Sequence, residues 1–529
     1  MKKTLKKLAA FTLAATMLAG CSGPSTSTTA TTAAQKAAAA VTETPAASAE
    51  TTAAVEAVDY KDHIVIGCND AISKIQPHDK DNMMHAQLFY AMYNTLVTLD
   101  EETLEVLPEL ATEWEWKDDL TFEMKLRDDV TFHDGSKFTA ADVVYSFDYM
   151  IGKEASRVAS LEKVEAIDDY SIRMTMKTPN VDWELSLTEA PFSILSKSAC
   201  EADPEAGATI GTGPWKLDSW TSGDYVDLVR NDAYWGEIPK TEKLTFRYIS
   251  EGSARVIALQ NGEVDVCLGA PQTDASYIAD DPNLELIQKP ISSLRYLTFD
   301  TSEGPGADQN LRLAIAHLIN IDDIVTVATN GVGLPAVSEW GTNTFGYYDG
   351  FGAYEYNPEL AKEYLEKSYP NGGAKIKIMC AANEYKTILS IIQEEARAIG
   401  LEIEIEQVES ATQSAMSKFD AHEHEAICYS LSWAAPGDTA RKQYYEGSDY
   451  NKAILTNERV MELCDLALSE FDTEKRKEYY KEIQELNHEQ AWYVPLYYSV
   501  NAVGINKDLT GLQLATTGRH DLSYVAVAE

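Results

Sequence analysis

Positive charge is scarce in this chain. Its 529 residues carry 44 lysines and arginines against 84 aspartates and glutamates, a formal net charge of −40. A surface of that sign repels phosphate backbones and anionic lipid heads, which argues against a nucleic-acid partner. Cysteine is sparse too. Beyond Cys21 there are only Cys68, Cys200, Cys267, Cys380, Cys428 and Cys464, and no two are spaced as Cys-x-x-Cys. That spacing suits neither zinc nor a small disulfide scaffold. Settings such as Ile378-Met379-Cys380 predict buried free thiols instead. After the first 20 residues no apolar run approaches membrane-spanning length, so the body is expected to be soluble.

Catalytic signatures are missing as well. Ser160-Leu161-Glu162-Lys163 matches Ser-x-x-Lys, but its companion elements are absent. His488-Glu489 would need a second histidine where Trp492 stands, Gly304-Pro305-Gly306 lacks a third glycine, and there is no Walker loop. His422-Glu423-His424-Glu425 reads as a solvated charged segment rather than a metal site. No catalytic constellation emerges, so neither an enzyme nor a resident metal or cofactor is expected.

The N-terminus is distinctive. Lys2, Lys3, Lys6 and Lys7 precede a short apolar stretch, Leu8 to Ala19, which ends Leu18-Ala19-Gly20-Cys21. Such a stretch is too short to stay in a bilayer and reads as a secretory signal over residues 1–20. The ending resembles a bacterial lipoprotein lipobox, which implies cleavage before Cys21 and acylation of its thiol. Each buried methylene of such a lipid adds about 0.8 kcal/mol of membrane affinity. Residues 22–58 are nearly all Ser, Thr, Ala, Gly and Pro, too polar to bury a core. Counted from Cys21, a flexible tether over residues 21–59 is expected, reaching about 35 Å. The membrane is then touched through the lipid alone, on the extracytoplasmic face.

From residue 60 strands and helices mix without a repeat. His63-Ile64-Val65-Ile66-Gly67 is extended, and Thr121 to Arg127 alternates as a half-buried strand. Thr139-Ala140-Ala141-Asp142 resembles a capping box opening a helix whose Ala140, Val143, Val144 and Phe147 share a face. Lys375-Ile376-Lys377-Ile378, the helix containing Ile388 and Ile392 and stopped at Gly400, and Leu401-Glu402-Ile403 form a strand–helix–strand unit. That unit implies parallel strands and a right-handed crossover. Val460, Leu463, Cys464, Ala467 and Phe471 share one face of a further helix, and Tyr479, Ile483 and Leu486 one face of another. The fold class is mixed α/β.

A set of motifs then falls in one order. It begins with Leu107-Pro108-Glu109-Leu110-Ala111 and Trp114, and continues with Val130-Thr131-Phe132-His133-Asp134-Gly135 and Thr139-Ala140-Ala141-Asp142-Val143. Gly211-Thr212-Gly213-Pro214-Trp215, Arg230-Asn231, Leu259-Gln260-Asn261-Gly262-Glu263-Val264-Asp265 and Leu311-Arg312-Leu313-Ala314-Ile315 follow. Tyr356-Asn357-Pro358-Glu359-Leu360-Ala361 and Val494-Pro495-Leu496-Tyr497 complete it. As a set, covering roughly residues 60–529, it closely resembles the family 5 extracellular solute-binding proteins, the oligopeptide- and dipeptide-binding components of ABC importers.

The resemblance implies a two-lobed periplasmic-binding-protein-like fold of class II type with a small extra domain. Residues 60–107, 209–293 and 497–529 would build lobe I, 108–208 the extra domain, and 294–496 lobe II. Chain crossings near Pro290–Tyr296 and Val494–Tyr498 would form the hinge. It implies an extended peptide as cargo, handed to membrane permease subunits by a monomeric protein. An oligosaccharide, a nickel chelate or haem are the alternative cargoes. For ligand contacts it points to Trp433 and to Asp438, an aspartate placed to hold an ammonium. The run Ala434-Ala435-Pro436-Gly437 before Asp438 departs from the peptide-binding pattern, and Ser430 stands where a basic group would be offered. Thr212 and Gly213 would supply backbone contacts, and Arg295, beside the expected hinge, a partner for a carboxylate.

Overall fold

The computed structural model describes residues 58–529, apart from 80–82, 101, 102, 104, 154, 155, 343, 433–435 and 519. The expected signal segment, Cys21 and the tether up to residue 57 lie outside the described residues.

The architecture rests on one 11-stranded mixed sheet. From one edge its strands are Leu401–Gln407, Ala374–Cys380, Ala426–Ser432, Leu284–Phe299, Tyr493–Asn506, Val266–Cys267, His63–Cys68, Lys243–Tyr248, Tyr225–Arg230 and Trp215–Thr221, with Leu334–Pro335 added beside Tyr493–Asn506. Two of these strands are long, Leu284–Phe299 with 16 residues and Tyr493–Asn506 with 14. They pair antiparallel along nearly their whole length and run from one lobe into the other. On one side Ile64, Val226, Phe246 and Ile505 share a core. On the other, Leu297, Phe299, Ile376, Ile378 and Ile392 share a second. The molecule is two-lobed α/β.

The strand–helix–strand unit is present as read. Ala374–Cys380 and Leu401–Gln407 pair in parallel, with the helix Asn383–Ala398 between them and Gly400 at φ +86 ending it. A separate antiparallel sheet orders Ala111–Asp118, Thr121–Leu126, Ser171–Met176 and Leu161–Asp168. Phe122, Met124 and Leu126 face its core, and the helix Ala140–Gly152 brings Val143 and Phe147 to the same core. Asp142 ties the helix start down, accepting from the Thr139 N–H at 2.9 Å and, on its other oxygen, from the Lys197 N–H at 2.9 Å.

Two expectations are corrected. Phe471 does not continue the helical face of Val460 and Ala467. The helix Glu458–Ser469 ends because Asp472 caps the next one, Thr473–Gln490, accepting from the Glu474 and Lys475 N–H groups. Phe471 is left in the joint, about half exposed. The segment His422–Glu425 is not solvated throughout. It leads into the strand Ala426–Ser432, so His424 turns inward, its ring bonded to the Lys452 carbonyl at 2.9 Å, while Glu425 accepts from the Lys377 N–H. Ser160, of the Ser-x-x-Lys match, is tied to the Asn180 side chain, and Lys163 pairs on the surface with Glu165. The six described cysteines are buried and free, as read.

Candidate functional site

Arg295 sits in the long strand Leu284–Phe299, opposite Ser430 on one neighbour and Tyr497 on the other. Its Nε lies 3.1 Å from Glu384 Oε1, and Nη1 donates to Ser293 Oγ at 3.1 Å. Glu384 belongs to the first turn of the helix Asn383–Ala398, where the exposed N–H groups favour a negative charge. The Tyr497 hydroxyl donates to the same carboxylate oxygen. The rings of Tyr385 and Tyr497 lie 5.8 and 6.0 Å from the guanidinium carbon. Burial works against the Arg295 charge, but Tyr385, Glu384 and Tyr497 together hold its pKa above the ordinary guanidinium value. Side-chain exposures of 17% for Arg295 and 32% for Glu384 make this a charge pair at the rim of the second lobe.

Trp433 follows directly after the strand that carries Ser430, but it lies outside the described residues. Asp438 falls in the helix Pro436–Tyr444. Thr212 and Gly213 lie beside the helix Met83–Met92. Thr212 is fully buried, and its hydroxyl donates to Asn94 Oδ1 at 3.0 Å. The Gly213 N–H donates to the Met92 carbonyl at 3.0 Å, while its own carbonyl accepts from His133 Nε2 at 3.0 Å and Asn231 Nδ2 at 3.1 Å. A Cβ on Gly213 would meet Met92 C at 2.6 Å. The Gly213 backbone is therefore spent on the protein itself, not held out to a guest.

What Thr212 does hold is a polar hub. Asn94 Nδ2 donates to Glu109 Oε1 at 2.7 Å and to the Tyr234 hydroxyl at 3.1 Å. Glu109 Oε2 accepts from the Thr95 N–H and hydroxyl at 2.9 and 2.7 Å. Burial pushes the Glu109 carboxyl up to about 7, against those hydrogen bonds. This hub borders a cavity of about 770 Å³ on the first lobe, also lined by Tyr90, Lys289 and Asp521. Lys289 donates to the Leu514 carbonyl at 2.7 Å. Burial raises the Asp521 carboxyl as well. The size suits a small-molecule site. Lys289 and Arg295 share one strand six residues apart, about 20 Å at the rise of an extended chain.

The motifs drew attention to Thr212 and Gly213, and the expected hinge to Arg295, whereas Glu384, Tyr385, Lys289 and Asp521 carry no sequence signal by type. Glu384 had one by position, since an acid in a first helical turn beside a strand end is a recognisable placement.

The sequence profile described as bacterial extracellular solute-binding proteins, family 5 Middle, matches residues 105–452. The glutathione-binding protein GsiB of Salmonella paratyphi A is 25% identical over 485 residues, covering 88% of this chain and 94% of that protein. Among solved structures, DppA from Helicobacter pylori in complex with the peptide STSA superposes with a TM-score of 0.76 at 25% identity, covering 89% of this chain and 99% of that one. CtaP from Listeria monocytogenes shares the fold with a TM-score of 0.81 at 22% identity, over 89% and 100% of the two chains. With its two lobes and the sheet that joins them, the chain belongs to the family 5 bacterial extracellular solute-binding proteins, the extracytoplasmic binding components of ABC importers.

Proposed function

We propose that this protein captures short peptides or related amino-acid-derived molecules between its lobes and presents them to a membrane permease. The observation that carries this reading is the pairing of opposite charges near the strands that join the lobes. Arg295 and Glu384 offer both signs at the second lobe. Lys289 adds a positive charge at the cavity of the first, beside the carboxyls of Glu109 and Asp521. A guest bearing an ammonium and a carboxylate matches such a site, because each buried charge on it needs an opposite partner. Relatives described as binding glutathione and the peptide STSA support the same class.

In this reading residues 60–107, 209–293 and 497–529 form lobe I, 108–208 the extra domain, and 294–496 lobe II. Closure turns on the two long strands, and two crossings allow rotation with little internal strain. Trp433 packs on the guest, Asp438 takes its ammonium, and Thr212 with Gly213 serves by fixing the floor of the first lobe. Lipid on Cys21 and the tether of residues 21–59 keep the monomer on the extracytoplasmic face of the cell membrane. No chemistry is done on the guest.

Native mass spectrometry on protein purified without added ligand tests the cargo. Co-purified peptides or a glutathione-sized amino-acid derivative support the proposal. A discrete sugar or a metal chelate in their place overturns it. Cys21→Ser tests the anchor, and is expected to move the protein from the membrane fraction to the soluble one.

A further inference from the structure

A second meeting of chain segments lies apart from the long strands. The loop that leads from the four-stranded sheet into the short helix Trp183–Ser186 touches the joint between the helices Glu458–Ser469 and Thr473–Gln490. The Val181 N–H donates to the Leu468 carbonyl at 2.9 Å. Asp182 forms an ion pair with Arg476, and the two side chains are 3% and 13% exposed. Trp116 of the small sheet meets Phe471 edge-on, with ring centroids 5.8 Å apart.

Both sides of the contact are built in advance. The Arg476 guanidinium lies 4.2 Å over the Phe345 ring and 5.8 Å from the Tyr480 ring, so its own lobe holds it in place. Across from it, the Asp182 N–H donates to Asn180 Oδ1 at 3.1 Å, and Asn180 Nδ2 donates to Ser160 Oγ at 3.2 Å, which pins the loop to its own sheet. Asp182 stands at the N-cap of Trp183–Ser186 yet makes no side-chain cap bond. An aspartate there ordinarily accepts from the first-turn N–H groups. This one gives its carboxylate to a residue 294 positions away.

We infer that the Asp182–Arg476 pair, with the Val181–Leu468 backbone bond and the Trp116–Phe471 contact, is a clasp between the extra domain and the second lobe that sets how often the cleft stands shut. In the closed arrangement each nearly buried ion relies on the other, and removing either leaves an uncompensated buried charge, so the closed arrangement is favoured only while both ions are present. A guest that binds the closed arrangement then has an apparent affinity scaled by the closed fraction. The inference rests on a hinge between lobes and not on the nature of the cargo.

Distance measurements between spin labels on ligand-free protein test it. Ile257→Cys and Val327→Cys, in a Cys21→Ser background, place labels on the two lobes at positions 55% and 57% exposed, and the six described native thiols are buried, which leaves the labelling selective. Asp182→Asn and Arg476→Gln are each expected to raise the long-distance, open population by tenfold or more, with little further change when combined. Unchanged distributions in both single variants overturn the clasp. A second variant pair guards against misfolding: Val181→Cys with Leu468→Cys, at the two positions joined by the 2.9 Å backbone bond, which a disulfide would link covalently. Once oxidised it should confine the labels to the short distance, and reduction should release them. A disulfide that forms and leaves the distribution as broad as before also overturns the inference. If the clasp variants respond while no small guest co-purifies, the clasp stands and the cargo proposal falls.

Discussion

Pro290 lies opposite Val500 and Leu294 opposite Tyr498, so three residues of one long strand face the single residue Ser499 of the other. A second slip follows at once, with Arg295 opposite Tyr497 but Tyr296 opposite Pro495. Bulges of this kind bend a strand and loosen its ladder. Here they fall where the strands pass between lobes, and the Ser292 N–H leaves the pair to donate to the Thr516 carbonyl at 2.7 Å. Removing both Ile291 and Ser292 keeps the side-chain alternation and shortens the bulge. Removing Ser292 alone reverses the faces of everything on one side. The double deletion is expected to fold and to narrow the interlobe distance distribution. The single deletion is expected to give little soluble protein, as an expression and gel-filtration comparison would report.

Gly211 and Gly213 are close-approach glycines. A Cβ on Gly211 would lie 2.0 Å from the Met92 carbonyl oxygen, and one on Gly213 within 2.7 Å of backbone atoms of Ala91 and Tyr93. Neither obstacle is a flexible side chain. Gly211→Ala and Gly213→Ala should each lower stability by about 1–3 kcal/mol or more, measured by urea unfolding. A neutral result at Gly213 would mean that the loop can move away from the helix Met83–Met92.

Arg295 and Glu384 should behave as one unit. Truncating either leaves the other short of its charged partner, at a cost on the order of 1–3 kcal/mol. The double variant Arg295→Ala/Glu384→Ala is expected to lose less than the sum of the single losses, since the pair is then removed together. A four-corner set of unfolding curves gives the coupling directly, and additive losses would show the two act independently.

Two buried groups should pull the pH dependence in opposite directions. Burial pushes His78 down to about 4, and its ring bonds the Ser193 carbonyl at 2.8 Å. As pH falls from about 6.5 toward 4 the unfolded imidazole takes a proton that the folded one refuses, so stability drops, by up to about 3 kcal/mol for this group. His78→Gln should flatten that loss. Glu339 is buried, accepts from the Tyr444 hydroxyl at 3.1 Å, and is pushed up to about 7. As pH rises from about 4.5 through 7 the unfolded carboxyl ionises before the folded one, and stability again drops. Glu339→Gln should gain on the parent protein across that window, by up to about 3 kcal/mol, and level off above it. Chemical-denaturation midpoints from pH 4 to 8 read both effects.

Local patterning made much of the fold legible. Ile376, Ile378, Ile388, Ile392, Leu401 and Ile403 all point into one core, because a period of two and a period of 3.6 alternate cleanly there. Phe471 shows where patterning stops. Its spacing continues the preceding helix, but Asp472 caps the next one, and a choice between caps is not visible in apolar spacing. The site was less legible. Arg295 could be noticed for its charge beside an expected hinge. That Glu384, 89 residues later, would neutralise it depends on sheet order, which places the strand Ala426–Ser432 between the strand of Arg295 and Ala374–Cys380, the strand that precedes the helix of Glu384. Gly213 announced a loop of special geometry. It could not announce that His133 and Asn231 would use its carbonyl.

Because Leu284–Phe299 and Tyr493–Asn506 each run from one lobe into the other, neither lobe owns a complete set of strands. Cutting the protein at that border would leave each fragment with truncated ribbons and unsaturated backbone edges, the surfaces along which chains stack into aggregates. The lobes are therefore not separable, and swapping one between homologues would require grafting both ribbons whole.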